Sequence, residues 1–191
     1  MTKLMVVYHS GYGHTAKQAQ AVFGGAQNVA GIEAKLVSVD KLDDVVWAEL
    51  AAADAIIFGA PTYMGSLTAK FKEFMEVSSK AWAAQEWKNK IAAGFTNSAT
   101  MNGDKLNSLI QLAIFAAQHS MIWVGTGLMP ANSSKAQRND VNYVGSFLGA
   151  MAQSSSDAGT DVAPPPGDLE TARIFGKRVA EVTLQFVRGR G

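Results

Sequence analysis

The feature that most constrains the fold is an unbroken apolar run near the start of the chain, Lys3 to Tyr8. It stops at the glycine-rich stretch His9-Ser10-Gly11-Tyr12-Gly13-His14-Thr15. A short run without polar alternation is the pattern of a parallel strand covered on both faces. From Thr15 the apolar residues fall at Ala19, Val22, Phe23 and Ala26, the spacing of an amphipathic helix in spite of Gly24 and Gly25. A strand that must be covered on two sides, followed at once by a helix, calls for further strand–helix units.

The rest of the chain supplies them. Further strands are expected at Ala34 to Val39, at Ala55 to Gly59 with Pro61 as its stop, at Ile91 to Phe95 and at Met121 to Val124. Between them lie a short helix around Leu42 to Ala52, a helix with Leu67, Phe71, Phe74 and Met75 on one face, and a helix with Leu106, Leu109, Ile110 and Ala113. Residues 126–167 read as one long irregular segment rich in Gly, Ser and Pro. After it Asp168 is expected to cap a closing helix carrying Ala172, Phe175, Val179, Val182 and Phe186. Five strands alternating with helices imply an α/β, doubly wound parallel sheet with helices on both faces and strand order 2-1-3-4-5. The 191 residues suit one domain. In that order ligands bind above the carboxyl ends of strands one and three, so the loops after strands one, three and four carry the chemistry.

Composition narrows the partners. With 17% charged residues and a net charge of +1, no basic nucleic-acid surface is implied, and a small molecule is the expected partner. The chain has no cysteine, which removes thiol catalysis and fits a cytoplasmic location. No apolar run reaches bilayer length, so no stable membrane insertion is expected. The three histidines show no metal-ligand spacing, and no metal is expected.

The first loop has the makings of a phosphate site. A phosphate monoester needs converging donors, and a helix N-terminus offers free N–H groups and a favourable dipole. Ser10 and Thr15 add hydroxyls, while Gly11 and Gly13 let the backbone approach closely. The same residues also read as Gly11-x-Gly13-x-x-Ala16, a dinucleotide fingerprint, with Asp40 available for a ribose. The second loop, Ala60-Pro61-Thr62-Tyr63-Met64-Gly65-Ser66-Leu67, brings apolar and aromatic walls suited to a flavin ring, and the third, Thr96-Asn97-Ser98-Ala99-Thr100-Met101-Asn102-Gly103, brings polar groups for its pyrimidine edge. Trp82 and Trp87 are candidates for stacking. His119, just before the fifth strand, is the histidine placed to donate to a flavin carbonyl or to stabilise the negative charge of a reduced ring.

Taken together, the first loop, Asp54-Ala55-Ile56-Ile57-Phe58-Gly59-Ala60-Pro61-Thr62, His119-Ser120-Met121 and the closing helix resemble the WrbA-type NAD(P)H:quinone oxidoreductases of the flavodoxin-like family over nearly the whole chain. The resemblance implies non-covalent FMN, NADH or NADPH as electron donor, a quinone-like acceptor and a homo-oligomer, dimer or tetramer. It implies that the first loop holds the phosphate, that Pro61 to Gly65 and Thr96 to Thr100 line the ring, and that Trp82 and His119 border the substrate as catalytic residues. Where the family's second loop commonly reads Pro-Thr-Arg-Phe-Gly, this chain has Tyr63 and Met64. Where its third commonly reads Thr-Gly-Thr-Gly-Gly-Gly, this chain has Asn97 to Asn102 before Gly103. These departures raise a second expectation, a flavodoxin-like protein with weakened or lost FMN binding that serves as a binding or regulatory module.

Overall fold

A computed structural model describes residues 1–190. In chain order it contains β1 (Thr2–Tyr8), α1 (His14–Gln27), β2 (Ile32–Ser38), a 3-10 turn (Val39–Lys41), α2 (Asp44–Ala52), β3 (Ala55–Tyr63) and β4 (Ser66–Leu67). Then follow α3 (Ala69–Val77), α4 (Ser79–Ala83), β5 (Ile91–Ser98), α5 (Lys105–Gln118), β6 (Ile122–Trp123), β7 (Ala150–Gln153) and α6 (Pro166–Arg188). The sheet runs β2-β1-β3-β5-β6 with these strands parallel, which is the expected doubly wound order. No helix among the described residues is long and apolar enough to cross a membrane.

Strand alternation divides the interior into two cores. Leu4, Val6 and Ile57 face α1 and α6, whereas Met5, Val7, Ile56 and Phe58 face the layer of α2, α3 and α5. The second core is aromatic. Trp87 is completely buried and its ring stacks near those of Phe74 and Trp47, so it is a packing residue and offers no stacking face to a ligand. His119 belongs to the same cluster, 4.2 Å between ring centroids from Trp87.

Four sequence expectations need correction. The fifth strand position is filled twice: β6 pairs with Ile91 and Ala92, and β7, inside the segment read as irregular, pairs with Phe95 to Ser98. Trp123 Nε1 donates to the Leu148 carbonyl at 2.8 Å and ties the two pieces together. Pro61 does not stop β3, which continues to Tyr63 and turns back through Met64 and Gly65 to β4, taking Leu67 out of α3. The buried stripe of α5 is Lys105, Ser108, Leu109, Leu112, Phe115 and Ala116, leaving Leu106 and Ile110 outside. Asp168 does not cap α6, which begins at Pro166. It is buried and accepts both Arg138 guanidinium nitrogens at 2.7 Å and the Gln153 N–H at 2.8 Å.

The helical glycines have opposite reasons for being present. A Cβ on Gly25 would strike the Arg173 carbonyl, and one on Gly176 the Val22 carbonyl, so α1 and α6 cross with their backbones in contact, whereas a Cβ on Gly24 meets nothing within 4 Å. Overpacking outweighs the helix-propensity gain of alanine at a crossing. We expect Gly25→Ala and Gly176→Ala each to destabilise by about 1–3 kcal/mol in urea unfolding, and Gly24→Ala to stabilise by up to about 1 kcal/mol.

Burial pushes the His119 imidazole down from 6.5 to about 4, so it folds uncharged. Because the unfolded chain takes up this proton first, the contribution is complete above pH 6.5 and is lost as pH falls from there towards 4. Stability is expected to drop over that window by on the order of 3 kcal/mol from this group, and His119→Gln should flatten the drop in unfolding curves at successive pH values.

Candidate functional site

The carboxyl ends of β1, β3 and β5 open on one cavity of about 580 Å³, a size usual for small-molecule sites. Its floor is the first loop. Gly13 takes a left-handed φ of 91° as the residue before α1, a conformation glycine adopts without the Cβ penalty. Ser10 Oγ accepts from the N–H groups of Gly13 and Ala16, both at 3.1 Å. Thr15 lines the cavity beside the helix N-terminus, and its hydroxyl is buried with no partner among the described residues. An unsatisfied buried donor at a helix N-terminus fits an anion, because a lone hydroxyl left dry costs about 1–3 kcal/mol.

The second loop forms one wall. Pro61, Thr62, Tyr63 and Met64 line the cavity. The Thr62 hydroxyl donates to Ser108 Oγ at 2.7 Å and lies 2.8 Å from Thr96 Oγ1, so three buried hydroxyls lock β3, β5 and α5 together. Tyr63 reaches towards the first loop, where a Cβ on Gly11 would come within 2.6 Å of its hydroxyl, and its ring lies 6.0 Å from that of Tyr12. Burial raises the Tyr63 phenol above its ordinary range. Met64 is fully exposed at the rim, and the hairpin is moored by Asn107 Nδ2 donating to the Gly65 carbonyl at 2.7 Å.

The third side is built from β5 and the residues after it. Asn97, Ser98 and Ala99 line the cavity, whereas Thr96 lies beneath Thr62 and Thr100 is turned outwards. Lys105, wholly buried at the start of α5, donates from Nζ to Ser98 Oγ at 2.8 Å and to the carbonyls of Thr100 at 2.9 Å and Met101 at 2.8 Å. Gln153 Nε2 donates to the Ala99 carbonyl at 2.6 Å. Burial lowers the Lys105 ammonium to about 8, with Asp168 opposing and Arg138 adding to the shift. Three successive carbonyls are thus held inwards by a cation and an amide.

Eleven of the residues expected from the sequence line this cavity, on three loops: Ser10, Tyr12, His14, Thr15, Pro61, Thr62, Tyr63, Met64, Asn97, Ser98 and Ala99. Gly11, Gly13 and Gly65 shape the turns. His14 is itself fixed, its Nε2 donating to the Ala158 carbonyl at 2.8 Å. Trp82 and His119 are elsewhere. They line a separate groove with Ser78, Met75 and Ile114, at the end of α5 opposite Lys105. The Ser78 hydroxyl donates to the Met75 carbonyl, so His119 Nε2 donates to Ser78 Oγ at 3.0 Å, and uncharged His119 supplies no positive charge at neutral pH. Among the described residues no cluster of three His, Asp or Glu side chains is arranged to hold a metal ion.

Reading by loops missed Ser154 and Ser156, which line the cavity from beyond β7, and Lys105. The run Ser154-Ser155-Ser156 and a lysine in phase with Leu109, Leu112 and Ala116 are the signals that mark them.

Residues 44–135 match the family model of the NADPH-dependent FMN reductases. The chain is 47% identical to flavodoxin FldP of Pseudomonas aeruginosa over 97% of its own length and 99% of that protein's. It is 32% identical to an NAD(P)H dehydrogenase (quinone) of Geotalea uraniireducens over 97% and 100%. A crystal structure of a flavodoxin, WrbA-like protein from Agrobacterium tumefaciens superposes with a TM-score of 0.77 at 43% identity, covering 97% of this chain and 99% of that one. Full-length similarity at these levels means that the chain belongs to the flavodoxin-like family of WrbA-type NAD(P)H dehydrogenase (quinone) proteins.

Proposed function

We propose that this protein is an FMN-dependent oxidoreductase passing two electrons from NADH or NADPH to quinone-like acceptors. The observation that carries the reading is the unpartnered, buried Thr15 hydroxyl at the N-terminus of α1, on the floor of a cavity with Tyr63 and Met64 in one wall. Bound FMN supplies the two-electron chemistry, and the protein supplies position and electrostatics. The Thr15 hydroxyl and the N–H groups of His14 and Thr15 hold the phosphate, with Ser10 keeping the loop in shape through the hydrogen bonds it accepts from Gly13 and Ala16. Pro61 to Met64 and Asn97 to Ala99 bound the ring, Gly65 shapes the turn behind them, and Ser154 and Ser156 close the side nearest β7. The exposed rim at Tyr12 and Met64 leaves room for donor and acceptor to approach in turn.

A homo-oligomer, dimer or tetramer, belongs to the same reading. Its support is the apolar surface of Trp82, Ile110, Ile114 and Leu106 along α4 and α5, each more than two-fifths exposed. A neighbouring copy is the route by which the exposed Trp82 would reach a flavin, since it does not border the cavity of its own chain, whereas His119 is buried behind it. A second reading, FMN held as in a flavodoxin without quinone turnover, is favoured by the name of the 47% identical relative.

Titration of the protein with FMN, followed by visible absorbance and flavin fluorescence, is expected to show stoichiometric uptake. Thr15→Val should weaken FMN by roughly tenfold to a hundredfold, the worth of one hydrogen bond to a charged group, while leaving riboflavin, which lacks the phosphate, unaffected. Absence of any uptake would falsify the reading and promote the binding-module alternative. With FMN loaded, NADH or NADPH should reduce a benzoquinone catalytically, and uptake without turnover would favour the flavodoxin reading. Sedimentation should show a dimer or tetramer, and Ile114→Asp should shift it towards monomer.

A further inference from the structure

The cavity lining contains no Lys, Arg, Asp or Glu among the described residues, yet a cation stands directly behind it. Ser98 lines the cavity, and its Oγ accepts from Lys105 Nζ at 2.8 Å and donates to the Thr100 carbonyl at 3.0 Å, so the ammonium stands one residue behind the cavity wall. We propose that Lys105 makes the cavity prefer the fully reduced, more negatively charged form of FMN over the oxidised form, acting through Ser98 and the loop as a positioning residue. This rests on the FMN reading above.

Three observations carry it. First, the charge is not cancelled locally. The charged groups facing Lys105 are Asp168 of α6 and Arg138, and these two are bonded to each other through paired 2.7 Å contacts, leaving the group of three with a net charge of +1. Second, the ammonium has its three protons taken by three oxygens, which favours its charged form against the opposing effect of burial. Third, Lys105 and Gln153 together hold the carbonyls of Ala99, Thr100 and Met101 inwards, and in trans peptides this turns the N–H groups of Thr100, Met101 and Asn102 the other way.

The energetic consequence follows from charge balance. Taking up two electrons and one proton leaves a flavin ring with one more negative charge, and a buried cation stabilises that charge far more than water-screened lysine would. His119, uncharged and in another groove, cannot serve this purpose.

The test compares the affinities of parent, Lys105→Gln and Lys105→Arg protein for oxidised and for fully reduced FMN, with the midpoint potential of the bound flavin as a second route to the same ratio. Lys105→Gln should favour reduced FMN about tenfold less than the parent does, a potential lower by about 30 mV for a two-electron couple, and Lys105→Arg should keep the parent ratio. An unchanged ratio in Lys105→Gln, or an equal drop in Lys105→Arg, overturns the assignment. Should the glutamine variant not fold, the parent protein decides. By reciprocity, reduction of bound FMN must raise the Lys105 pKa by about one unit for a tenfold preference. Lysine-selective NMR of oxidised and reduced holoprotein reads this, and no rise overturns the assignment. Parent protein that takes up no FMN overturns the functional reading and the assignment with it, whereas bound FMN with an unchanged ratio overturns only the assignment.

Discussion

Strand β5 is buried along its whole length, so its outer edge must be hydrogen-bonded throughout, and the chain meets this demand in two pieces. The first piece, β6, is spent after two residues. The second, β7, must return through residues 124–149 to pair with Phe95 to Ser98, the half of the strand that ends at the cavity. Much of the functional architecture follows from that return. It brings Gln153 to the Ala99 carbonyl, Ser154 to Asn97, and Ala158 to the His14 ring. It also places Arg138 against Asp168, joining the long connection to the first turn of α6. Segments that look like loops in isolation are thus part of the site's frame.

This explains what could be read from the chain and what could not. Strands β1, β3 and β5 were legible because their both-sided burial leaves unbroken apolar runs, and α6 because Ala172, Phe175 and Val179 repeat at three and four. The first loop was legible because its chemistry is local, with glycines, hydroxyls and a helix start all within seven residues. Strand β7 was not, since Ala-Met-Ala-Gln carries little β preference and its pairing is dictated by the exposed edge of β5 rather than by its own side chains. Asp168 looked like a helix cap by its place in the sequence. Its actual partner, Arg138, is thirty positions away, and nothing local marks the pair.

Polar residues show the same distinction. His119 invites a catalytic role because of its side-chain chemistry, yet its surroundings of Trp87, Phe115 and Ser78 make it an uncharged member of the aromatic core. Lys105 has the reverse history. Its charge points to solvent, but its phase with Leu109, Leu112 and Ala116 on α5 buries it where three oxygens replace its hydration. The third loop, which has no run of glycines, is held in shape by those bonds.

The crossing of α1 and α6 at Gly25 and Gly176 has a consequence for synthesis on the ribosome. The helices of the aromatic layer, α2, α3 and α5, emerge in time to cover their face of the sheet as the strands appear. The opposite face cannot be finished so early, because α1 has only α6, the helix furthest along the chain, to close against. Until α6 clears the exit tunnel, Leu4, Val6, Ile57 and Phe95 lack half their cover, and the nascent chain carries an open apolar face.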